Sequence, residues 1–433
     1  MQKIISNTTD NGGSRNAIVK RRGWVVPLFI FIYFILTGFT QPPGEAGQGL
    51  LGRLIMADIF MFGLAVVGLT QIKRIHFPSE YALYFIFILT FGLIGLFSYL
   101  PRQASIELLV HVWAWLGSLI LFNILASDPE RGPKLVFNLL LLSTAILAVL
   151  GLVQLYVLPN ILSGKTVGGV VGSFRNTGQA GSYFGMTMAL LVPAFLTGYI
   201  KFNPFNILLT ITIFITLILT TKRAAMIGFI IGYIGLLFLL ISYGGMKFKK
   251  YAFFMLFFSL LVAPILFLGI QWGLENISSM SWRVEKKLGE NALENFSEGF
   301  FKENIGSAFN AFYDHPITGA GLGNIAGIYT PKYEIHSTYF KMIAAGGILG
   351  TIAYLIFMTN WARCYISNLG TQNREALYLL YFSPFLIGLV VSWGYTYHLR
   401  KREFWIAFAI IVLITRVAAI KKNMIQQNQL INY

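Results

Sequence analysis

A bilayer admits only segments that satisfy their own backbone hydrogen bonds, and a helix needs about 20 mostly apolar residues to cross one. Roughly twelve such runs follow one another along this chain, at 24–40, 50–70, 81–100, 105–126, 135–158, 180–200, 205–221, 224–243, 251–272, 337–359, 375–396 and 404–420. Their number and length predict an all-α, polytopic membrane protein with about 12 transmembrane helices. Composition agrees: 12% of the residues are charged, against roughly 25% in soluble domains.

The net charge of +16 resides mostly in short loops between apolar runs, which fits membrane topology and attraction to anionic lipids better than nucleic acid. The tail 1–23 ends in Lys20-Arg21-Arg22 and reads as the cytoplasmic start of an uncleaved signal anchor. With that end inside, Lys73-Arg74, Arg131, Lys134, Lys201, Lys247, Lys249, Lys250, Arg363, Arg374 and the tail 421–433 all fall on the cytoplasmic side. Arg400-Lys401-Arg402 falls outside, against the rule.

Between the spans at 24–272 and those at 337–420 lies one large external, periplasmic loop, 273–336, holding eight of the chain's 17 acidic residues. Its apolar residues Leu288, Ala292, Phe296, Phe300, Ile305, Phe309 and Phe312 recur at helical spacing, predicting an amphipathic helix against the membrane or over a cavity. The loop closes with Asp314-His-Pro-Ile-Thr-Gly-Ala-Gly-Leu-Gly-Asn324 and Glu334-Ile-His-Ser-Thr-Tyr339, which sets His336 at the threshold of the next span. A titratable group placed where water meets lipid suggests function.

Two further stretches could serve an anion. Lys222 and Arg223 join two spans at their outer ends, beside the small residues Ala224, Ala225 and Gly228. Arginine suits bidentate phosphate binding, although snorkelling to the interface is a common alternative fate. Val171-Gly-Ser-Phe-Arg-Asn-Thr-Gly-Gln-Ala-Gly181 opens a helix with Arg175, Asn176 and Gln179, and Lys165 lies nearby; helix N-termini attract anions. His111, one turn after Glu107, reads as a structural pair, and so does Asp58 with Arg53. The single cysteine, Cys364, excludes a disulfide framework or cysteine metal site. No Asp-x-Asp, His-Glu-x-x-His, Walker or serine-hydrolase motif occurs, which disfavours a metal-bound nucleotide-sugar donor.

Together, Gly172–Gly181, the Thr-Lys-Arg-Ala-Ala turn at 221–225, His315–Asn324 and Ile335-His-Ser-Thr-Tyr-Phe-Lys-Met-Ile-Ala-Ala-Gly-Gly-Ile-Leu-Gly350 resemble the O-antigen ligase and polymerase family of bacterial membrane glycosyltransferases. In one departure, Arg283 is separated from His315 by a long amphipathic insert. The resemblance implies an enzyme of the bacterial inner membrane, without cofactor or metal, facing the periplasm. It would move a glycan from an undecaprenyl diphosphate carrier to a sugar hydroxyl of lipid A core or another repeat unit. It implies His336 as catalytic base, Arg223, Arg175 and Lys222 on the diphosphate, and Asn176, Gln179, Glu334 and Tyr339 as further substrate or loop contacts. The alternative is a lipid-linked oligosaccharide flippase, although neither internal repeats nor interrupted helices are evident.

Overall fold

The computed structural model describes residues 24–40, 56–70, 74–158, 169–243, 304–323, 334–370 and 374–431, with scattered positions elsewhere. Every regular element among them is helical: α1 (Val25–Thr37), α2 (Met56–Leu69), α3 (Ser79–Leu96), α4 (Pro101–Ala126), α5 (Gly132–Tyr156), α6 (Thr177–Leu196), α7 (Pro204–Leu219), α8 (Arg223–Tyr243), α9 (Ser307–Asp314), α10 (Thr338–Ile366), α11 (Arg374–Ser392) and α12 (Arg402–Ile431). Among the described residues eight are long and apolar enough to cross a membrane, and α1, α2 and α7 are shorter apolar helices. The expected span at 251–272 falls mostly outside the described residues, as do the tail 1–23, Arg53, Lys165, Arg283 and the amphipathic positions before Asn304. Of the predicted amphipathic helix, α9 is described. It buries Ser307, Ala308 and Ala311 and turns Phe309 and Tyr313 outward.

Helix starts follow from local sequence. Asn176 and Asn203 accept the amides of Gln179 and Asn206 at the heads of α6 and α7, each satisfying a donor that a helix start leaves unpaired. Proline opens α4, α5 and α7 near the first position, where its missing N–H costs nothing. In the tightest pairing, α8 lies along α11, and Gly228 and Gly388 meet backbone to backbone. The small residues beside Arg223 therefore serve helix–helix approach. At the centre is α12, buried on all sides from Phe404 to Thr415, as expected of a helix apolar all round.

One helix is interrupted. Gly347 takes φ 54 and ψ −147 inside α10, conformations open to glycine alone. The break frees the carbonyls of Ala344 and Ala345 and the amides of Ile348 and Leu349. The glycine-rich loop takes all four: Ala320 and Gly321 donate to the carbonyls at 2.9 Å each, and Pro316 and Ile317 accept from the amides at 2.9 and 3.1 Å. Gly319 (φ 67) lies so close to this break that an added Cβ would stand 2.5 Å from the Gly346 and Gly347 nitrogens. The expectation of uninterrupted spans is thus corrected at Gly347, where a composition of Ala-Ala-Gly-Gly disguises the break within an apolar run. All four of these groups are thus bonded to protein.

Candidate active site

The connections carrying the predicted functional residues meet at one end of the bundle. There the residues just after α1 reach the 173–179 segment: Thr40 donates to the Gln179 side chain at 2.6 Å and accepts the Arg175 amide at 2.8 Å. The start of α10 meets the end of α11 through the Thr338 amide on the Trp393 carbonyl, 2.9 Å.

His336 stands two residues before α10 with its side chain exposed. Its amide donates to the Asn304 side chain at 2.7 Å, and Ser337 caps the helix behind it. Partial desolvation, followed by the positive charges of Lys222, Lys401 and Arg400, pulls its pKa from the ordinary 6.5 to about 4. The imidazole is therefore neutral at pH 7 and able to take a proton. In pH–rate profiles of kcat/KM, a reaction needing neutral His336 is expected to keep its rate down to about pH 5. It is expected to lose it as pH falls through about 4, where an ordinary histidine would lose it near 6.5. An acid limb at 6.5 would remove His336 as the titrating base.

Four charged groups hold the segment in front of His336. Arg400 bridges Glu107 at 3.0 Å and Glu334 at 2.6 Å. Lys341, in the first turn of α10, pairs with the same two carboxylates, contacting Glu334 directly and Glu107 at 3.9 Å. Lys341 also sits over the Tyr397 ring, 4.3 Å from its centroid. Glu107 is fully buried and Lys341 1% exposed, so neither charge is tolerable without the other. His111 completes the interior, bound on both ring nitrogens by the hydroxyls of Tyr84 (2.7 Å) and Tyr397 (2.6 Å).

One expectation changes here: Glu107 pairs with Arg400 and Lys341, and the ring of His111 goes to two tyrosines. Asp58, whose expected partner Arg53 lies outside the described residues, is gripped by Arg402 through both oxygens, at 3.0 and 2.5 Å. Arg400-Lys401-Arg402, which broke the positive-inside pattern, is bonded residue by residue to Glu107 and Glu334, to Ser182 (2.7 Å) and to Asp58. These cations stay at this end because partners on other helices neutralise or bind them.

Of the predicted site residues, Lys222 and Glu334 are brought beside His336. Arg223 and Arg175 lie at the same end with exposed side chains. Asn176 caps α6, Gln179 is bound by Thr40, and the Tyr339 hydroxyl donates to the Val390 carbonyl at 2.6 Å. Sequence reasoning passed over Arg400, Lys401 and Lys341. The signals were present in a charge cluster on the wrong side and a lysine inside an apolar run.

Residues 208–355 match the O-antigen ligase family. The match runs from α7 into α10 and takes in Lys222, Arg223, Glu334, His336 and Lys341. The matched stretch, 148 of the chain's 433 residues, contains the 221–225 turn and the histidine segment that resemble that family. No curated protein gives a match to the chain.

Proposed function

We propose that this protein is a membrane glycosyltransferase of the O-antigen ligase or polymerase type. It takes a glycan from a polyprenyl (undecaprenyl) diphosphate carrier on the periplasmic face of the bacterial inner membrane and passes it to a sugar hydroxyl, on lipid A core or on another repeat unit. The observation that carries this reading is the placement of His336, exposed at the head of α10 and tied through its amide to Asn304, at the end of the bundle where Lys222, Arg400 and Lys401 gather and within the stretch that matches the O-antigen ligase family.

A sugar hydroxyl is a poor nucleophile at neutral pH. His336 accepts its proton as the oxygen bonds to C1 of the donor sugar. The C1–O bond to the carrier breaks, its electron pair stays on the departing diphosphate, and a single displacement inverts the anomeric centre. Charge developing on that diphosphate is met by fixed cations, for which Lys222, Arg223 and Arg175 are the candidates from the sequence. Fixed side-chain charges would then serve without a metal ion.

The test is turnover of carrier-linked glycan by purified protein. His336→Ala is expected to lower kcat by about 10²- to 10⁴-fold with an unchanged melting temperature; unimpaired turnover would refute the base. Long products would identify a polymerase, and a single addition to lipid A core a ligase. Movement of labelled carrier across vesicles with no new glycosidic bond would favour the flippase reading.

A further inference from the structure

The charged groups around His336 occupy one end of the bundle, and another ion pair lies well away from them. Arg416 stands on the apolar span α12 about 21 Å beyond Arg402, at 1.5 Å per residue. Its Nη2 donates to Glu80, in the first turn of α3, at 2.8 Å. Glu80 is 1% exposed and Arg416 42%. Among the described residues this is the one hydrogen bond that the guanidinium makes, and its Nε is buried with no partner. A guanidinium carries five N–H donors, and a charge on a spanning helix needs a reason to be there.

Arg416 lines a cavity of about 460 Å³ between the connection before α3, the end of α4 and α12. Phe77, Phe122, Leu413 and Val417 give it apolar walls, and His76 is a second polar lining residue. The connection is fixed to α4, because the Asn123 side chain accepts the His76 amide at 2.6 Å and donates to the His76 carbonyl at 3.0 Å. Lys421, about 8 Å further along α12, pairs with Glu375 of α11, and Lys422 donates to the Ser367 carbonyl at 3.0 Å. That level is the polar rim of the bundle at this end, so the cavity begins where lipid headgroups give way to acyl chains.

Snorkelling alone would turn the guanidinium to water and needs no cavity. Here Glu80 holds one edge of it against the protein, and a space of ligand size, mostly apolar with few polar groups, adjoins it. A soluble phosphate would leave the apolar walls unused, and a lipid without phosphate would leave the guanidinium unused. We propose that this cavity binds a phospholipid, with Arg416 on the phosphodiester and the walls of Phe77, Phe122, Leu413 and Val417 around the start of an acyl chain. Arginine meets a phosphate with paired N–H groups in fixed geometry, and Glu80 orients the guanidinium for it. The site is separate from the transfer reaction and does not depend on that reading.

The experiment is native mass spectrometry of the full-length protein released from nanodiscs of phosphatidylglycerol and diacylglycerol of the same chains, with glycerol 3-phosphate as soluble competitor. Corrected for abundance, one phosphatidylglycerol should be retained at least tenfold over diacylglycerol, and glycerol 3-phosphate should not displace it. Glu80→Gln/Arg416→Gln removes both members of the pair and strands neither; it should lower the preference roughly tenfold. Ala126→Trp fills the cavity, leaves the pair in place and should lose the retained lipid. Because either variant could fail to fold, the wild type is also labelled with phosphatidylglycerol carrying a photoreactive group beside the phosphate. Cross-links in 76–79 or 413–420 support the site. Equal retention of diacylglycerol, displacement by glycerol 3-phosphate, an undiminished preference in either folded variant, or cross-links confined to other segments overturns it.

Discussion

Gly347→Ala is expected to abolish the folded protein, with a loss of more than about 4 kcal/mol, beyond the range of ordinary substitutions. Its Cβ would stand 2.5 Å from the Gly319 nitrogen and 2.7 Å from the carbonyl oxygens of Ile317 and Pro316. All three are backbone atoms that cannot rotate away. Relief requires pulling the loop off α10, which breaks the four hydrogen bonds between 316–321 and 344–349. In lipid each stranded group costs several kcal/mol. Gly198→Ala is the control: Gly198 also has positive φ, at 72, but nothing lies within 4 Å of an added Cβ. It should lose only the backbone strain, about 1–2 kcal/mol. Monodisperse yield and melting temperature in detergent separate the two variants; equal losses would show that conformation, not contact, makes Gly347 necessary.

Glu107→Gln should destabilise the protein by about 3 kcal/mol and lower turnover with it. The substitution keeps shape and removes one charge from the centre of the square. Lys341, fully enclosed, and Arg400 then share Glu334 alone, which is 22% exposed and screened accordingly. The displaced carboxylate of Glu334 shifts the segment that carries His336, so kcat is expected to fall more than donor KM rises. Arg400→Lys should not substitute for arginine, since one ammonium group cannot span two carboxylates as a guanidinium does. The double variant Glu107→Gln/Arg400→Gln should recover part of the loss, because removing both members of a buried pair leaves no orphan charge. Strictly additive losses in thermal unfolding would show that the two residues do not act together.

What could be read from the sequence divides along physical lines. Spans are local properties, so eleven of the apolar runs coincide with described helices, and the loop ends at the helix that His336 introduces. Lys222 could be found because it shares a turn with Arg223. The pairings could not. Arg402 finds Asp58 and Arg400 finds Glu107 across 344 and 293 residues, and one chain without its fold carries no record of such distances. The same blindness sent Glu107 to His111, the nearest polar group in sequence. The disagreement of Arg400-Lys401-Arg402 with the topology rule was informative, because three cations clustered between apolar spans need partners. The break in α10 was hidden for a different reason: glycines in an apolar run look like packing residues until a second chain segment is seen to complete them.

That completion bears on how the protein is made. The segment 315–321 leaves the ribosome before α10, and it carries the acceptors and donors that α10 lacks at 344–349. α10 therefore carries backbone groups at 344–349 that its own residues leave unpaired until the preceding loop reaches them. The helix behind His336 is thus finished by the segment that precedes it in the chain, so the two must meet before the break is tolerable in lipid.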